Sequence, residues 1–410
     1  MESLKRNRHL YVGAAFLALL VALGISQTVL EKTAVVEGQA AQAPMFQVDP
    51  LWPKPLPNHW LIGSSIGVSV DAEDHVWIIH RPDSFNKRTE TGANETPPIA
   101  DCCLAAPPIL EFDQAGNLIG HWGGPGQGYE WPESNHGITV DYKGNVWIGG
   151  NGQNDAQVLK FTQDGKLLMQ IGHAGARKVS GEGKDAKYAG GSSDMMNFGR
   201  VAKIHVDPAA NEAYISDGYL NKRVVVIDAD TGKFKRYWGA YGNKPDDTDL
   251  GPYNPDAPPA QQFRNPVHCS ELSKDGFVYV CDRPNDRIQV FRKDGSFVKE
   301  AFIAKRTLGD GSVWDIAFSK DPEQRFIYLA DGKNEKVYVI QRETLQILTS
   351  FGDGGRQPGQ FFGVHSIATD SKGNIYTTET YEWKRLQKFV YKGMGPVTKE
   401  NQGPPWPTSN

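Results

Sequence analysis

The sequence predicts an all-β fold, a six-bladed β-propeller, and three observations carry that prediction. The 410 residues include 44 glycines and 26 prolines, turn formers well above average usage, together with 10% aromatics. A unit of apolar strand, polar turn and second apolar strand recurs six times. No copy shows apolar i, i+3, i+4 spacing, which disfavours a helical solenoid.

The copies run in order. Gly67–Ile78 and Gly137–Ile148 each pass through an Asp turn (Asp71, Asp141) into a Val-Trp-Ile strand. Lys203–Ile215 turns at Asp207, and Ser270–Val280 turns at Ser273. Asp315–Leu329 turns at Ser319, and Ser366–Thr377 at Asp370. Third strands with a further Gly turn follow at Val158–Gly165, Val224–Gly232 and Ile288–Gly295. Fourth strands end in Trp122-Gly123, Trp238-Gly239 and Phe351-Gly352. Four alternating strands per unit make a propeller blade, and one blade cannot bury both its faces, so the units stack around an axis. Two inserts interrupt them. Residues 174–199 are rich in Gly, Lys and Ser, and residues 242–262 in Pro and Asp. Both read as surface loops.

The formal net charge of −4 supplies no positive field to hold phosphates, which excludes a generally basic nucleic-acid binder. Only 22% of residues are charged, which excludes an acidic disordered chain. Lys5, Arg6 and Arg8 precede the charge-free stretch Leu10–Ile25. That is the pattern of a signal peptide or N-terminal anchor, slightly long for the first and short of the ~20 residues that span a bilayer. The expected organisation is therefore 1–25 signal or anchor, 26–45 linker, 46–396 propeller and 397–410 flexible tail. The chain is expected to be exported, meeting a membrane only through that N-terminal segment. In an exported protein Cys269 and Cys281, near opposite ends of a predicted hairpin, could pair. The adjacent Cys102 and Cys103 are ambiguous.

Five places before each anchor stand Ile66, His136, Ala202, His268, Trp314 and His365. Histidine falls on units two, four and six, about 120° apart in a closed six-unit ring. The position is the entry to the innermost strand, beside the central channel. Three imidazoles with an open fourth position are the ligand set of a catalytic Zn²⁺. The other histidines, His9, His59, His75, His80, His121, His173 and His205, read as structural or solvated.

At this point the chain resembles the peptidyl-α-hydroxyglycine α-amidating lyases, six-bladed propellers of NHL-type repeats. The resemblance spans roughly residues 60–392. It rests on Ile78–Arg81, Asn135–Asp141, Ser216–Arg223, Pro266–His268, Cys281–Val290 and Val364–Ile367, in that order. It implies that His136, His268 and His365 are zinc ligands, that Tyr219 is the active-site tyrosine, and that Arg81 and Arg283 are the active-site arginines. It implies a structural calcium held by the backbone carbonyls of Val68 and Ile138. The carboxylate that should follow the third histidine is Ser366 here, which puts that calcium in doubt. A substrate-contact methionine of the family is Gly363 here. The implied reaction is C–N cleavage of a carbinolamide bearing a carboxylate, small molecule or peptide, to an amide and glyoxylate. Tyr219 as phenolate would take the hydroxyl proton, and the two arginines would hold the carboxylate. A separate hydroxylating partner would make the carbinol. Two other readings stay open. One is a non-catalytic NHL propeller that binds a protein or glycan through its inserts. The other is a lactonase-like metal hydrolase, although acidic residues are absent from the histidine register.

Overall fold

A computed structural model describes residues 42–177, 179, 180, 187, 188 and 191–397. The expected signal or anchor, most of the linker and nearly all of the tail lie outside the described residues. Residues 44–393 form one compact unit, and residues 42, 43 and 394–397 are the described part of a second.

Six four-stranded sheets follow one another along the chain. Their innermost strands are Ser64–Val70, Asn135–Val140, Val201–Asp207, Val267–Leu272, Asp315–Phe318 and Val364–Thr369, and they define blades one to six. Each inner strand contacts the next, and the sixth returns to the first, so the ring is closed. The outermost strand of blade six comes from the other end of the chain. Gln42–Asp49 pairs with Leu386–Pro396. Phe46 of that strand is buried among Tyr328, Phe351 and Tyr391, bridging blades five and six.

The anchor residues explain why the units repeat. Asp141 Oδ1 accepts from the backbone N–H groups of Lys143 and Asn145, and its Oδ2 accepts from Trp147 Nε1 at 2.8 Å. Asp71 does the same for Glu73, His75 and Trp77. Asp370 serves Lys372, Asn374 and Tyr376. The carboxylate thus closes a tight turn and ties it to the aromatic ring six residues on. The apolar faces then fill the seams, as Trp77, Ile79, Ile138 and Phe161 do between blades one and two. Cys269 and Cys281 lie opposite one another across the first hairpin of blade four and are disulfide-bonded, as are Cys102 and Cys103.

Candidate metal centre

The three histidines meet at the hub. One ligand atom from each of His136, His268 and His365 lies within 4.8 Å of the others, and the rings are 4.9–5.2 Å apart. All three are buried. A bulge in each inner strand aims them. The pairing register with the second strand slips between Asn135 and Ile138, between Val267 and Cys269, and between Val364 and Ser366. Each histidine is left out of the ladder, His136 together with Gly137, so its side chain turns toward the axis.

The intervening blades hold the rings in place. His136 Nδ1 donates to Ala202 O at 2.6 Å, His365 Nδ1 donates to Ile66 O at 2.6 Å, and His268 Nδ1 donates to Trp314 O. A carbonyl can only accept, so each Nδ1 carries the proton and each Nε2 lone pair faces the hub. The six equivalent positions therefore alternate ligand and orienting carbonyl around the ring. Close strand approach is required, and Gly137 permits it: a Cβ there would stand 2.5 Å from Ala202 O. Burial, reinforced by Arg283 at all three and by Arg81 at His136 and His365, pushes His136 and His268 well below the usual imidazole value and His365 to about 3. Three neutral, singly oriented imidazoles are a donor set that fits zinc.

The turns after the second strands of blades three and four carry residues that reach this hub. Tyr219 sits on such a turn in blade three, where Gly218 has no room for a side chain: a Cβ would stand 2.0 Å from Val267 O. Buried Asp217 braces the turn through Arg223 Nε at 2.8 Å. Tyr219 Oη lies 2.8 Å from His136 Nε2 and 3.0 Å from His268 Nε2. Arg283, on the matching turn of blade four, donates from Nη1 to Tyr219 Oη at 3.4 Å and stacks 4.4 Å from the Trp314 ring. Its buried Nε has no hydrogen-bond partner among the described residues. Arg81, in blade one, donates to Asn135 O and, from Nη2, to Asn151 Oδ1 at 2.7 Å. Burial pushes the Tyr219 phenol up, and both arginines oppose that shift.

Two residues at the mouth escaped sequence reasoning. Asn151 and Tyr381 occupy the same turn in blades two and six. Tyr381 is half exposed, lies edge-on to Trp314, and holds a left-handed backbone at φ 57°. Its Cδ2 stands 3.4 Å from where a side chain on Gly363 would begin. Aligning the second strands as the first were aligned points to both. A cleft of about 440 Å³ opens beside Arg283 and Asp310, walled by Leu250 and Tyr253 of the 242–262 insert and by Lys222 and Arg264.

His80 supports Arg81 from the core. It accepts from Gly63 N–H at Nδ1 and donates from Nε2 to Pro107 O at 2.9 Å. Burial pushes it down to about 4. The unfolded chain takes up this proton near pH 6.5 and the folded chain only near 4, so stability is full above about 6.5 and declines as pH falls through that window. Up to about 3 kcal/mol is lost by pH 4. Thermal unfolding measured from pH 7 to 4 should decline less steeply in His80→Gln than in the unsubstituted protein.

Val68 and Ile138 do not frame a calcium site. Both line a separate cavity of about 190 Å³ beneath the histidines, together with Lys203, His205 and Glu271. The Lys203 ammonium reaches into the channel here and bonds Asp315 at 2.7 and 2.9 Å. The implied ion is at odds with a lysine among the carboxylates.

By fold and site the molecule is a six-bladed NHL-type propeller whose hub histidines could hold a metal ion. The chain is similar in sequence to a peptidyl-α-hydroxyglycine α-amidating lyase and to NHL repeat-containing protein 3. Peptidyl-alpha-hydroxyglycine alpha-amidating lyase 1 of Drosophila melanogaster is 24% identical over 84% of this chain and 59% of its own length. NHL repeat-containing protein 3 of Mus musculus is 25% identical over 85% of this chain and 84% of its own. Peptidyl-glycine alpha-amidating monooxygenase B of Xenopus laevis is 29% identical over 61% of this chain, but the match spans only 26% of that protein. No family model matches the chain. Among solved structures, a streptogramin B lyase aligns with TM-score 0.49 at 12% identity, over 86% of this chain and 98% of that one, a likeness that carries no functional argument.

Proposed function

We propose that this protein is a zinc-dependent lyase that cleaves the C–N bond of an α-hydroxyglycine-type carbinolamide, releasing an amide and glyoxylate. The observation that carries the reading is the convergence of three neutral imidazoles from alternate blades beneath Tyr219, Arg81 and Arg283. His136, His268 and His365 would hold the zinc, which supplies Lewis acidity toward the substrate hydroxyl.

The chain's own groups account for the rest. Arg283 pairs loosely with half-exposed Asp310 at 3.7 Å and keeps an unspent Nε donor in a buried setting, so it can accept a bound carboxylate as a further partner. Arg81, steadied by Asn151, presents a second guanidinium to the same anion. Tyr219 Oη stands where a hydroxyl proton can pass to or from it. The cleft beside Arg283 would take the amide portion of the substrate. The reading carries with it an exported location and a separate hydroxylating partner.

Tyr381 would stack on the substrate where Gly363 offers no side chain. Tyr381→Ala is expected to raise KM up to about tenfold with kcat and zinc content unchanged, in steady-state assays. The test of the function is glyoxylate release from α-hydroxyhippurate by purified protein of known metal content. Turnover with about one zinc per chain supports the reading, and a zinc-loaded protein without turnover sinks it. The near full-length match to NHL repeat-containing protein 3 favours one second reading, a propeller that binds a protein or glycan without turnover. The same inert outcome, with a ligand captured, would select it.

A further inference from the structure

Below the histidines the inner strands project a second layer into the channel, and it holds a network of charges. Lys203 of blade three, Asp315 of blade five and Ser366 of blade six each stand four residues before their anchors. Glu271 of blade four and His205 of blade three stand two before theirs. Lys203 Nζ bonds both Asp315 oxygens at 2.7 and 2.9 Å and lies 3.0 Å from Glu271 Oε1. His205 Nδ1 meets Glu271 Oε2 at 2.8 Å. Ser366 Oγ donates to Asp315 Oδ2 at 2.6 Å, and Val68 N–H of blade one donates to Ser366 Oγ at 3.4 Å. Five of the six blades are thereby linked around one ammonium group.

We infer that Lys203 is a built-in cation that occupies the place of a structural divalent ion at the hub, so that the closed ring needs no calcium. Its arrangement matches what such an ion would do. Two carboxylates from different blades converge on one positive centre, and their repulsion is neutralised inside the channel. Burial works against the Lys203 charge, but Asp315 and Glu271 outweigh it and hold the pKa above the ordinary lysine value. Burial likewise opposes the Glu271 carboxylate, yet Lys203 and His205 hold it down to about 2. Lys320 lines the same cavity. Ser366 follows from the same exchange. With Lys203 present a third carboxylate would be unpaired, and a hydroxyl that donates to Asp315 is what the layer requires.

The inference is independent of the lyase reading and is tested on the purified full chain by calcium titration. In the unsubstituted protein, millimolar calcium should give no binding heat and no shift in unfolding temperature. Lys203→Ala should unfold at least about 5 °C lower, because two buried carboxylates face each other unpaired. Calcium should then bind the vacated site and recover part of that loss saturably. Saturable calcium stabilisation of the unsubstituted protein would overturn the inference, as would a Lys203→Ala protein that calcium leaves unmoved. If Lys203→Ala does not fold, the triple change Lys203→Met, Glu271→Gln and Asp315→Asn removes all three charges. It should fold and unfold at one temperature with or without calcium, and a calcium-dependent triple variant would overturn the inference.

Discussion

Replacing His268 by alanine should abolish zinc retention and lower turnover by at least ~10³-fold. The ring would be one of three hub ligands, and its Nδ1 is committed to Trp314 O. Two remaining imidazoles leave a weak, open site. The fold should survive, because the histidine lies on a bulge outside the ladder between Val267 and Cys269. The expected cost is the unpaired Trp314 carbonyl, about 1–3 kcal/mol. Elemental analysis, a glyoxylate assay and thermal unfolding on the same preparation separate loss of metal from loss of structure. A variant with normal zinc and normal turnover would contradict the assignment.

Tyr219→Phe should lower kcat by about 10²–10⁴-fold while zinc content and KM stay near those of the unsubstituted protein. The ring can keep its place over the hub, since Gly218 and the Asp217–Arg223 pair fix the turn rather than the hydroxyl. Only the oxygen that touches His136, His268 and Arg283 is removed. Burial pushes this phenol up, so the proton-transfer role depends on the bound ion and the arginines to bring it back down. A kcat within twofold would show that Tyr219 shapes the site without moving a proton.

The blades were legible because the anchor carboxylate does a local task that leaves a local trace. Asp71, Asp141 and Asp370 each bind their own turn and the aromatic residue six positions on. The histidine set was legible because an aligned repeat converts sequence position into angle around the axis. Features that depend on pairing between distant segments were not. The strand Gln42–Asp49 carries no anchor turn, so nothing local marks it as the closing strand of blade six. The bulges that aim the histidines are a matter of register between strands and leave no mark on residue type. Lys203 read as an ordinary strand residue, because Glu271 and Asp315 lie far along the chain and meet it only across the channel. The resemblance to the lyases implied a doubtful calcium near that place, and the inference above puts the chain's own lysine there instead. Asn151 and Tyr381 were within reach of the same alignment, had it been extended from the first strand of each blade to the turn after the second.

The most direct measurement is zinc K-edge X-ray absorption on the purified full chain and on His268→Ala. The account predicts about one zinc per chain with three imidazole nitrogens at ~2.0–2.1 Å and one lighter oxygen ligand, and loss of that signature in the variant. Zinc bound through sulfur or carboxylate, or a spectrum that His268→Ala leaves unchanged, would contradict a metal shared by alternate blades.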